Sequence, residues 1–230
     1  MRPSVRVVIQ HLVNYVGIAV LATSGAVVGV RKGFDLFGIA TLAVLSGIGG
    51  VVLRDMLLDL APPASIQHWQ DITVCLAASA LTTVFAKWVI QLNQLVLVLD
   101  AVGMGFFATS GAAIAADHGA SWFAAAVLGV ISAVAGSAMR DVVAREVPMV
   151  LGPDDMYAAP AMLGAVLYVA IDHVGHQWLA VVVGSAVATV LRLAAITFHW
   201  RLPTGPRELI LHMHDHPSRE MSTSATTGRQ

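Results

Sequence analysis

Hydrophobic residues run along this chain in long stretches, and polar residues are concentrated in the short segments between them. Each stretch reaches the length of about 20 residues that an α-helix needs to cross a bilayer. Strands of a membrane barrel would alternate apolar and polar positions over about 10 residues, and the run from Leu179 to Val190 does not alternate. The pattern therefore predicts an all-α polytopic membrane protein. Its seven predicted transmembrane helices cover residues 8–30, 35–60, 70–90, 94–116, 120–146, 156–174 and 178–200.

The composition supports this fold class and excludes others. Hydrophobic residues make up 57% of the chain, charged residues only 12%, and the mean hydropathy is +0.76. A soluble domain carries about 25% charged residues, so membrane lipid is the expected surroundings. The net charge of −1 argues against nucleic acid as a partner. The single cysteine, Cys75, cannot form an internal disulfide. No nucleophile–base set or metal-ligand cluster stands out among the predicted helices, so no enzyme activity, cofactor or metal is expected.

An internal repeat organises the chain. The sequence from Ala22 to Ala26 recurs unchanged from Ala108 to Ala112, 86 residues later, and other small and charged residues recur at the same offset. Three predicted helices fall in each copy, so the second copy is predicted to be inverted across the membrane, as in many transporters. The predicted fold is an inverted 3+3 repeat plus one helix. Its parts are the first repeat (1–92), the second repeat (93–175), the seventh helix (176–203) and a disordered tail (204–230).

Basic residues predict the orientation, because lysine and arginine are in excess on the cytoplasmic side of membrane proteins. Most of them lie at or beyond the ends of the first, third, fifth and seventh predicted helices, so the N-terminus is expected outside and the C-terminus in the cytoplasm. The residues concerned are Arg31, Lys32, Lys87, Arg145, Arg201, Arg207, Arg219 and Arg229, against Arg2 and Arg6 on the other side.

Both ends of the chain leave an alternative open. The first helix also resembles a secretory signal peptide, although its small-residue motif recurs in mid-chain, which favours a retained helix. In the tail, His212, His214 and His216 alternate and offer a weak metal site, although a solvated disordered segment is the favoured interpretation.

The second predicted helix combines glycines with charge. Gly47, Gly49 and Gly50 fall within four positions, and Arg54-Asp55 follows them. Glycine costs a helix interior up to about 1 kcal/mol relative to alanine, so a kink or local break is predicted here. A charged residue at the bilayer centre costs about 2.5–3.5 kcal/mol on permissive scales and normally faces the interior of a bundle or water. The glycines and the charge pair are therefore predicted to line a polar path.

The fifth predicted helix repeats this arrangement, with Gly136 followed by Arg140-Asp141. Neighbouring residues on a helix do not face each other, so each arginine is expected to need a partner on another helix. Asp100 is the expected acidic partner, and Arg145 is a second expected partner for Asp141. Buried salt bridges that only fix helix register remain the alternative explanation for these charges.

Polar residues of the first and fourth predicted helices complete the candidate set. Asn14 and Asp100 are equivalent at the 86-residue offset, as are Ser24 and Ser110. The serines belong to small-residue motifs, which either let helices pack closely or present hydroxyl groups to a path. Both interpretations remain open at this point.

In these motifs the chain resembles the bacterial members of the trimeric intracellular cation channel family, whose sequence domain has also been labelled a glycine transporter. The resemblance covers residues 8–203. The motifs that carry it are Thr23–Ala26, Phe34–Gly38, Gly49–Asp55, Leu99–Ala101, Gly136–Asp141, Glu146–Pro148 and Tyr157–Ala161. Two departures concern the pore: Asn14 stands where the family often has an acid, and Ala133 and Ala135 stand where glycines are common.

The resemblance implies a homotrimer in the bacterial plasma membrane, with one pore per protomer for monovalent cations, chiefly potassium and secondarily sodium. The kinked second and fifth helices would line this pore. Its pore or gate residues would be Gly49, Gly50, Arg54, Asp55, Gly136, Arg140 and Asp141, with Ser24, Ser110, Asn14 and Asp100 as lining residues or charge partners. A secondary transporter of a small amino acid such as glycine is the runner-up, and a purely structural trimeric scaffold is the third alternative.

Overall fold

The computed structural model describes residues 3–89, 91, 94–152 and 156–200, and for residues 3–11 and 13 it describes the backbone only. The predicted tail, including its three histidines, lies outside these residues. Helices account for almost all of the described chain. They are α1 (Pro3–Arg31), α2 (Leu36–Leu57), α3 (Ala64–Gln67), α4 (Trp69–Val84), α5 (Ala86–Val89), α6 (Leu95–Asp117), α7 (Trp122–Val143), α8 (Ala158–His173) and α9 (Gln177–Phe198), with a 3-10 turn at Met149–Leu151.

Five of the predicted spans are confirmed as helices long and apolar enough to cross a membrane. Within the described residues these are Asn14–Arg31 of α1, α2, α6, α7 and α9. The third and sixth predicted spans correspond to α4 and α8, which have 16 residues each. At a rise of about 1.5 Å per residue such a helix is about 24 Å long, against a hydrocarbon core of about 30 Å. A turn at Phe85 separates α4 from α5.

Four helices form the centre of the molecule. α1 packs on α2, α2 on α7, α7 on α6, and α6 on α1, so these four close into a ring. α4 packs against α1 and α2, and α8 packs against α6 and α7 in the corresponding way. The additional helix α9 lies against α6 and α8. The ring therefore contains the first two helices of each repeat, and the remaining helices lie outside it.

The internal repeat is visible in the backbone as well as in the sequence. α1 and α6 end at positions 86 residues apart, and α2 and α7 both begin and end 86 residues apart. Asp35 and Ser121 cap the N-termini of α2 and α7, and each side chain accepts a hydrogen bond from the amide three residues later. These side chains bond amides that would otherwise lack a partner in the first turn of the helix. Equivalent sequence positions thus begin and end equivalent helices.

Glycine contacts show how the two copies meet. A Cβ atom added to Gly50 of α2 would overlap the carbonyl oxygen of Ser132 in α7, and one added to Gly136 of α7 would lie 2.5 Å from the carbonyl oxygen of Ser46 in α2. Ser46 and Ser132 are equivalent at the 86-residue offset, as are Gly50 and Gly136. Such reciprocal contacts are the mark of a two-fold relation between two units.

The other central contact between the repeats has the same reciprocity. A Cβ atom on Gly17 of α1 would lie 2.8 Å from the ring of Phe107 in α6, and one on Gly103 of α6 would overlap the side chain of Leu21 in α1. Leu21 and Phe107 occupy equivalent positions, and so do the two glycines. Both pairs of repeat-related helices therefore cross around one approximate two-fold axis.

Of the predicted kink or local break in the second span, the break is wrong, and the kink stays a prediction. α2 is continuous from Leu36 to Leu57, and α7 is continuous from Trp122 to Val143. The glycines remove side chains at helix crossings. A Cβ on Gly47 would lie 2.8 Å from Cys75 Sγ, and Gly50 lies against α7. Close contact between helices is a common use of small residues in membrane bundles, and it stabilises the fold enough to offset the weak helix propensity of glycine.

The tight α2–α7 crossing predicts that alanine at Gly50 destabilises the protein. The added methyl group meets a backbone carbonyl, which cannot move without shifting α7, and overpacking of this kind costs about 1–3 kcal/mol. We expect a lower midpoint of thermal unfolding for Gly50→Ala in detergent.

Gly49→Ala is the matched control for this substitution. A Cβ atom at Gly49 would lie 3.0 Å from Met139 Sδ, which belongs to a flexible side chain that can move aside. Gly49→Ala should therefore unfold close to the wild-type temperature. Equal unfolding temperatures for the two variants would contradict the proposed steric role of Gly50.

Candidate functional site

The Arg-Asp pairs of α2 and α7 are fully inside the helix bundle. Arg54 and Asp55 are 2% and 1% exposed, and Arg140 and Asp141 are 0% and 2% exposed. Each arginine lies one helical turn beyond the crossing at Gly50 or Gly136. The tight α2–α7 contact therefore fixes the backbone positions from which both charge pairs project.

Arg140 is held by three helices. Its Nη1 donates to Ser24 Oγ of α1 at 2.7 Å and to Asp100 Oδ1 of α6 at 3.1 Å. Its Nε donates to Asp141 Oδ1 of α7 at 2.8 Å, and Nη2 forms an ion pair with the same oxygen at 2.8 Å. The predicted partnership between Asp100 and an arginine on another helix is confirmed. The guanidinium is therefore charge-balanced and held in one orientation.

Asp100 receives donors from three directions. Besides Arg140, its Oδ1 accepts a hydrogen bond from Ser137 Oγ at 2.7 Å, and its Oδ2 accepts one from the hydroxyl of Tyr157. The carboxylate is 1% exposed. A buried carboxylate is costly unless it is paired and hydrogen-bonded, and here both oxygens are bonded. Ser24, Asp100, Arg140 and Asp141, all candidates from the sequence, thus meet in one cluster.

A second buried arginine extends this cluster and was missed by the sequence interpretation. Arg192 of α9 is 3% exposed, its guanidinium carbon lies 4.6 Å from the centre of the Tyr157 ring, and its Nη1 donates to the Met156 carbonyl at 3.0 Å. Cation–π contacts of this geometry are favourable, and more so when desolvated. The available signal was a lone arginine inside the predicted span 178–200.

The Arg54 pair differs from its prediction. Arg54 was expected to need an acidic partner on another helix, but its Nε donates to Asp55 Oδ1 at 2.9 Å and its Nη2 to the same oxygen. The backbone positions of adjacent residues do point apart on a helix. The arginine side chain is nevertheless long enough to fold back to its neighbour's carboxylate. The same geometry joins Arg140 to Asp141.

Each aspartate also ties its helix to the segment that follows. Asp55 Oδ2 accepts a hydrogen bond from the amide of Ala64, and Asp141 Oδ2 accepts one from the amide of Met149, both at 3.0 Å. The predicted pairing of Asp141 with Arg145 is wrong. Arg145 is exposed and lies beyond the end of α7 at a positive φ of 58°, so the helical spacing on which that prediction relied has ended before this residue.

The remaining candidates show how the two halves differ. Ser110, equivalent to Ser24, is 4% exposed, and its hydroxyl has no hydrogen-bond partner among the described residues. Arg54 Nη1 likewise has none within the described part of the chain. Asn14, equivalent to Asp100, is half-buried. The second half thus bonds its arginine to side chains of three helices, whereas the first half bonds its arginine only to Asp55 among the described residues. Each guanidinium keeps one nitrogen without a hydrogen bond there, Arg54 Nη1 and Arg140 Nη2, although the latter lies within ion-pair distance of Asp141.

Comparisons with known proteins agree with this architecture. A family model described as a glycine transporter matches residues 11–87 and again residues 97–173. The two matches begin and end 86 residues apart, which confirms the internal repeat. The Escherichia coli K12 relative, UPF0126 inner membrane protein YadS, is 35% identical over 197 residues that cover 84% of this chain and 95% of YadS. A UPF0126 membrane protein of Vibrio cholerae is 33% identical over 196 residues, covering 84% of this chain and 82% of the relative.

Solved structures extend these similarities to the fold. The trimeric intracellular cation channel orthologue from Rhodobacter sphaeroides superposes with a TM-score of 0.80 at 32% identity, over 84% of this chain and 99% of the orthologue. A prokaryotic channel of the same kind, crystallised in 0.5 M KCl, gives a TM-score of 0.79 at 29% identity, over 85% and 99% of the two chains. The resemblance noted from the sequence motifs is therefore confirmed.

Fold, repeat and buried charges together define a polytopic helical membrane protein built from two related halves. The chain belongs to the UPF0126 family of membrane proteins, which the glycine transporter model describes and which matches prokaryotic TRIC cation channels in structure.

The Arg140 cluster predicts that Asp100→Asn is strongly destabilising. The substitution keeps the shape of the side chain and removes the charge that balances a fully buried guanidinium. Removing one partner of a buried ion pair costs about 3–5 kcal/mol, and the remaining bond to Asp141 should reduce this penalty. We expect a large fall in the thermal unfolding midpoint in detergent.

The repeat supplies a matched control in the half-buried Asn14. Asn14→Ala changes the equivalent position, where no charge is present. This variant should unfold near the wild-type temperature. A larger effect at Asn14 than at Asp100 would show that the ion pair does not hold the bundle together.

Proposed function

We propose that the protein is a channel for monovalent cations, chiefly potassium, with one pore in each protomer. The observation that carries this proposal is the superposition with prokaryotic cation channels over 97% to 99% of their chains at 29% to 32% identity. The superposition covers 84% to 85% of this chain. It supports a shared activity more strongly than a shared fold alone does.

The proposed path follows α2 and α7. All four members of the Arg-Asp pairs lie on these helices, and each pair is buried. Two arginines alone would repel a cation, but Asp55 compensates Arg54, and Asp100 with Asp141 compensates Arg140. The pairing therefore lowers the electrostatic barrier to a cation. Carbonyl and hydroxyl oxygens near the crossing would replace part of the ion's hydration shell, as in other channels.

The two pairs are proposed to act as gates in opposite halves of the membrane. Inversion of the repeat is supported by the reciprocal contacts of Gly50 with Ser132 and of Gly136 with Ser46. An axis in the membrane plane would carry Arg54 and Arg140 to opposite ends of the path. Because Arg140 is bonded on three sides and Arg54 only to Asp55, the Arg54 gate is proposed to be the moving one.

The proposed assembly and location rest on the same relatives. The Rhodobacter sphaeroides orthologue is a trimeric channel, and YadS is an inner membrane protein, so we propose a homotrimer in a bacterial inner membrane. Seven crossings are proposed, with α4 and α8 as the two short ones. The N-terminus would lie outside and the C-terminus in the cytoplasm.

A small-amino-acid carrier is the second candidate. The family model is described as a glycine transporter, and inverted repeats are common in alternating-access carriers. A buried arginine and a buried aspartate could hold the carboxylate and the ammonium group of such a substrate. Measured transport distinguishes this candidate from a channel.

Reconstitution into planar bilayers tests channel activity directly. We expect discrete single-channel steps in symmetric KCl. In a KCl gradient the reversal potential should lie near the potassium equilibrium potential, since the proposed path excludes chloride. A reversal potential near that of chloride would contradict cation selectivity. Absence of steps together with saturable glycine counterflow in liposomes would favour the carrier.

Reporter fusions test the proposed orientation. Fused after residue 200, green fluorescent protein should fluoresce and alkaline phosphatase should be inactive, because both results mark a cytoplasmic C-terminus. Fusions after Lys32, in the loop between α1 and α2, should behave in the same way. Alkaline phosphatase activity at both sites would reverse the orientation, and different results at the two sites would contradict the six crossings, an even number, that are proposed between them.

A further inference from the structure

We propose that Arg192 of α9 is a positioning residue for the Arg140 gate. It holds the hydroxyl group of Tyr157 on the Asp100 carboxylate, and Asp100 in turn bonds Arg140. The seventh helix, which has no counterpart in the repeat, thereby acts on one of the two gates. This role in gating rests on the proposed channel function, whereas the placement of Tyr157 by Arg192 does not.

Arg192 contacts both the ring of Tyr157 and the residue before it. Its guanidinium carbon lies 4.6 Å from the centre of the ring, and its Nη1 donates to the Met156 carbonyl at 3.0 Å. Arginine is suited to this double contact, because its planar group stacks on an aromatic face while its N–H groups donate to an acceptor. Arg192 is 3% exposed, so water does not compete for either contact.

The segment that follows α9 holds Met156 at a second point. The Met156 amide donates to the Trp200 carbonyl at 2.9 Å. Trp200 reaches this place because α9 ends at Phe198 and His199 takes a positive φ of 51°. The N–H and the C=O of Met156 are thus both bonded to α9 or to the turn at its end. The backbone that carries Tyr157 is therefore fixed relative to the seventh helix.

The hydroxyl of Tyr157 transmits this position to the charge cluster. Tyr157 is 2% exposed, and its hydroxyl donates to Asp100 Oδ2. The other oxygen, Oδ1, accepts from Arg140 Nη1 at 3.1 Å. A carboxylate is planar and rigid, so a donor fixed on Oδ2 also fixes the direction in which Oδ1 meets the arginine. Movement of the tyrosine therefore loosens the bond that joins α6 to Arg140.

The first half contains no counterpart of this arrangement. Asp71 stands at the position equivalent to Tyr157, and a carboxylate cannot stack under a guanidinium as an aromatic ring does. α9 follows the second repeat and packs on α6 and α8. Its control therefore reaches the Arg140 gate and leaves the Arg54 gate to α2 itself. Removing Arg192 should make the otherwise fixed Arg140 gate mobile as well.

Thermal unfolding in detergent tests the placement of Tyr157 without any conduction measurement. Arg192→Met keeps a long apolar side chain and removes the charge and the donors, and Tyr157→Phe keeps the ring and removes the hydroxyl. We expect Arg192→Met to lower the unfolding midpoint less in the Tyr157→Phe background than in the wild type, by at least about 2 °C. The difference arises because the bond to Asp100 is already absent from that background.

An equal or larger shift in the Tyr157→Phe background would overturn the assignment. Arg192 would then stabilise the protein by packing or by charge alone, since both of those effects persist beside a phenylalanine ring. If Arg192→Met does not fold, Arg192→Gln takes its place in the same comparison, because glutamine keeps a donor for the Met156 carbonyl.

Single-channel recording tests the effect on the gate. Arg192→Met and Tyr157→Phe should each make brief closures within open bursts about fivefold more frequent, the effect of one lost hydrogen bond. The double variant should close no more often than either single variant, because both substitutions act on the same bond to Asp100. Arg192→Lys, which keeps the cation over the ring, should close less often than Arg192→Met. Multiplied effects in the double variant would overturn the proposal.

Ser185→Ala is the matched control on the same helix. Ser185 lies about two turns before Arg192, and its hydroxyl is hydrogen-bonded to Thr109 of α6 at 2.8 Å. Its loss removes a buried contact of α9 at a distance from Tyr157. The midpoint should fall equally in the wild-type and Tyr157→Phe backgrounds, and the closure frequency should stay within about twofold, less than the effect of one average hydrogen bond. A dependence on Tyr157 as large as that of Arg192→Met would overturn the specific role of Arg192.

Failure of this inference and failure of the proposed function give different results. A wild-type protein that conducts no potassium contradicts the proposed function, and the unfolding comparison still decides whether Arg192 positions Tyr157. A protein that conducts potassium, but in which Arg192→Met has equal effects in both backgrounds, contradicts only this inference.

Discussion

The close approach of α2 and α7 is the constraint on which the rest of the structure depends. Neither Gly50 nor Gly136 has room for a Cβ atom, because each faces a backbone carbonyl of the other helix. Lipid offers little hydrophobic driving force for packing helices together, so close van der Waals contact must supply much of the stability. The crossing also sets where Arg54 and Arg140 emerge, one turn further along each helix. Packing and charge placement are therefore consequences of the same two glycines.

Burial of these charges then determines what else must be present. A guanidinium at 0% exposure, as in Arg140, requires acceptors on the helices around it, and Ser24, Asp100 and Asp141 provide them. These bonds join α1, α6 and α7 at one point. The charge cluster therefore strengthens the central ring of helices while it lines the proposed path. A structural role and a role in conduction are compatible for the same residues.

Much of this organisation could be predicted from the sequence, because a duplication leaves a constant offset that needs no knowledge of contacts. The repeat was predictable in this way. Five long spans were predictable from the length of the hydrophobic stretches, and the pairing of Asp100 with an arginine from the cost of an unpaired charge inside a membrane. The pairing of Arg54 with Asp55 was not, since helical geometry describes where Cβ atoms point and not how far a long side chain reaches. The function of Gly50 was not predictable either. A single sequence does not distinguish a glycine that weakens its helix from a glycine that lets another helix pack closely against it.

The two halves show how duplicated backbones acquire different chemistry. Arg54 and Arg140 project from α2 and α7 at equivalent positions, one turn beyond the crossing. The residues equivalent to Asp100 and to two of its partners differ: Asn14 stands for Asp100, Val51 for Ser137, and Asp71 for Tyr157. Every group that bonds Asp100 has been replaced in the first half except the arginine itself. In the second half these bonds connect the arginine to α1 and α6, and in the first half no side chain of another helix bonds Arg54 within the described residues. The divergence therefore leaves Arg140 bonded across three helices and Arg54 bonded within α2, although both halves were built from one unit.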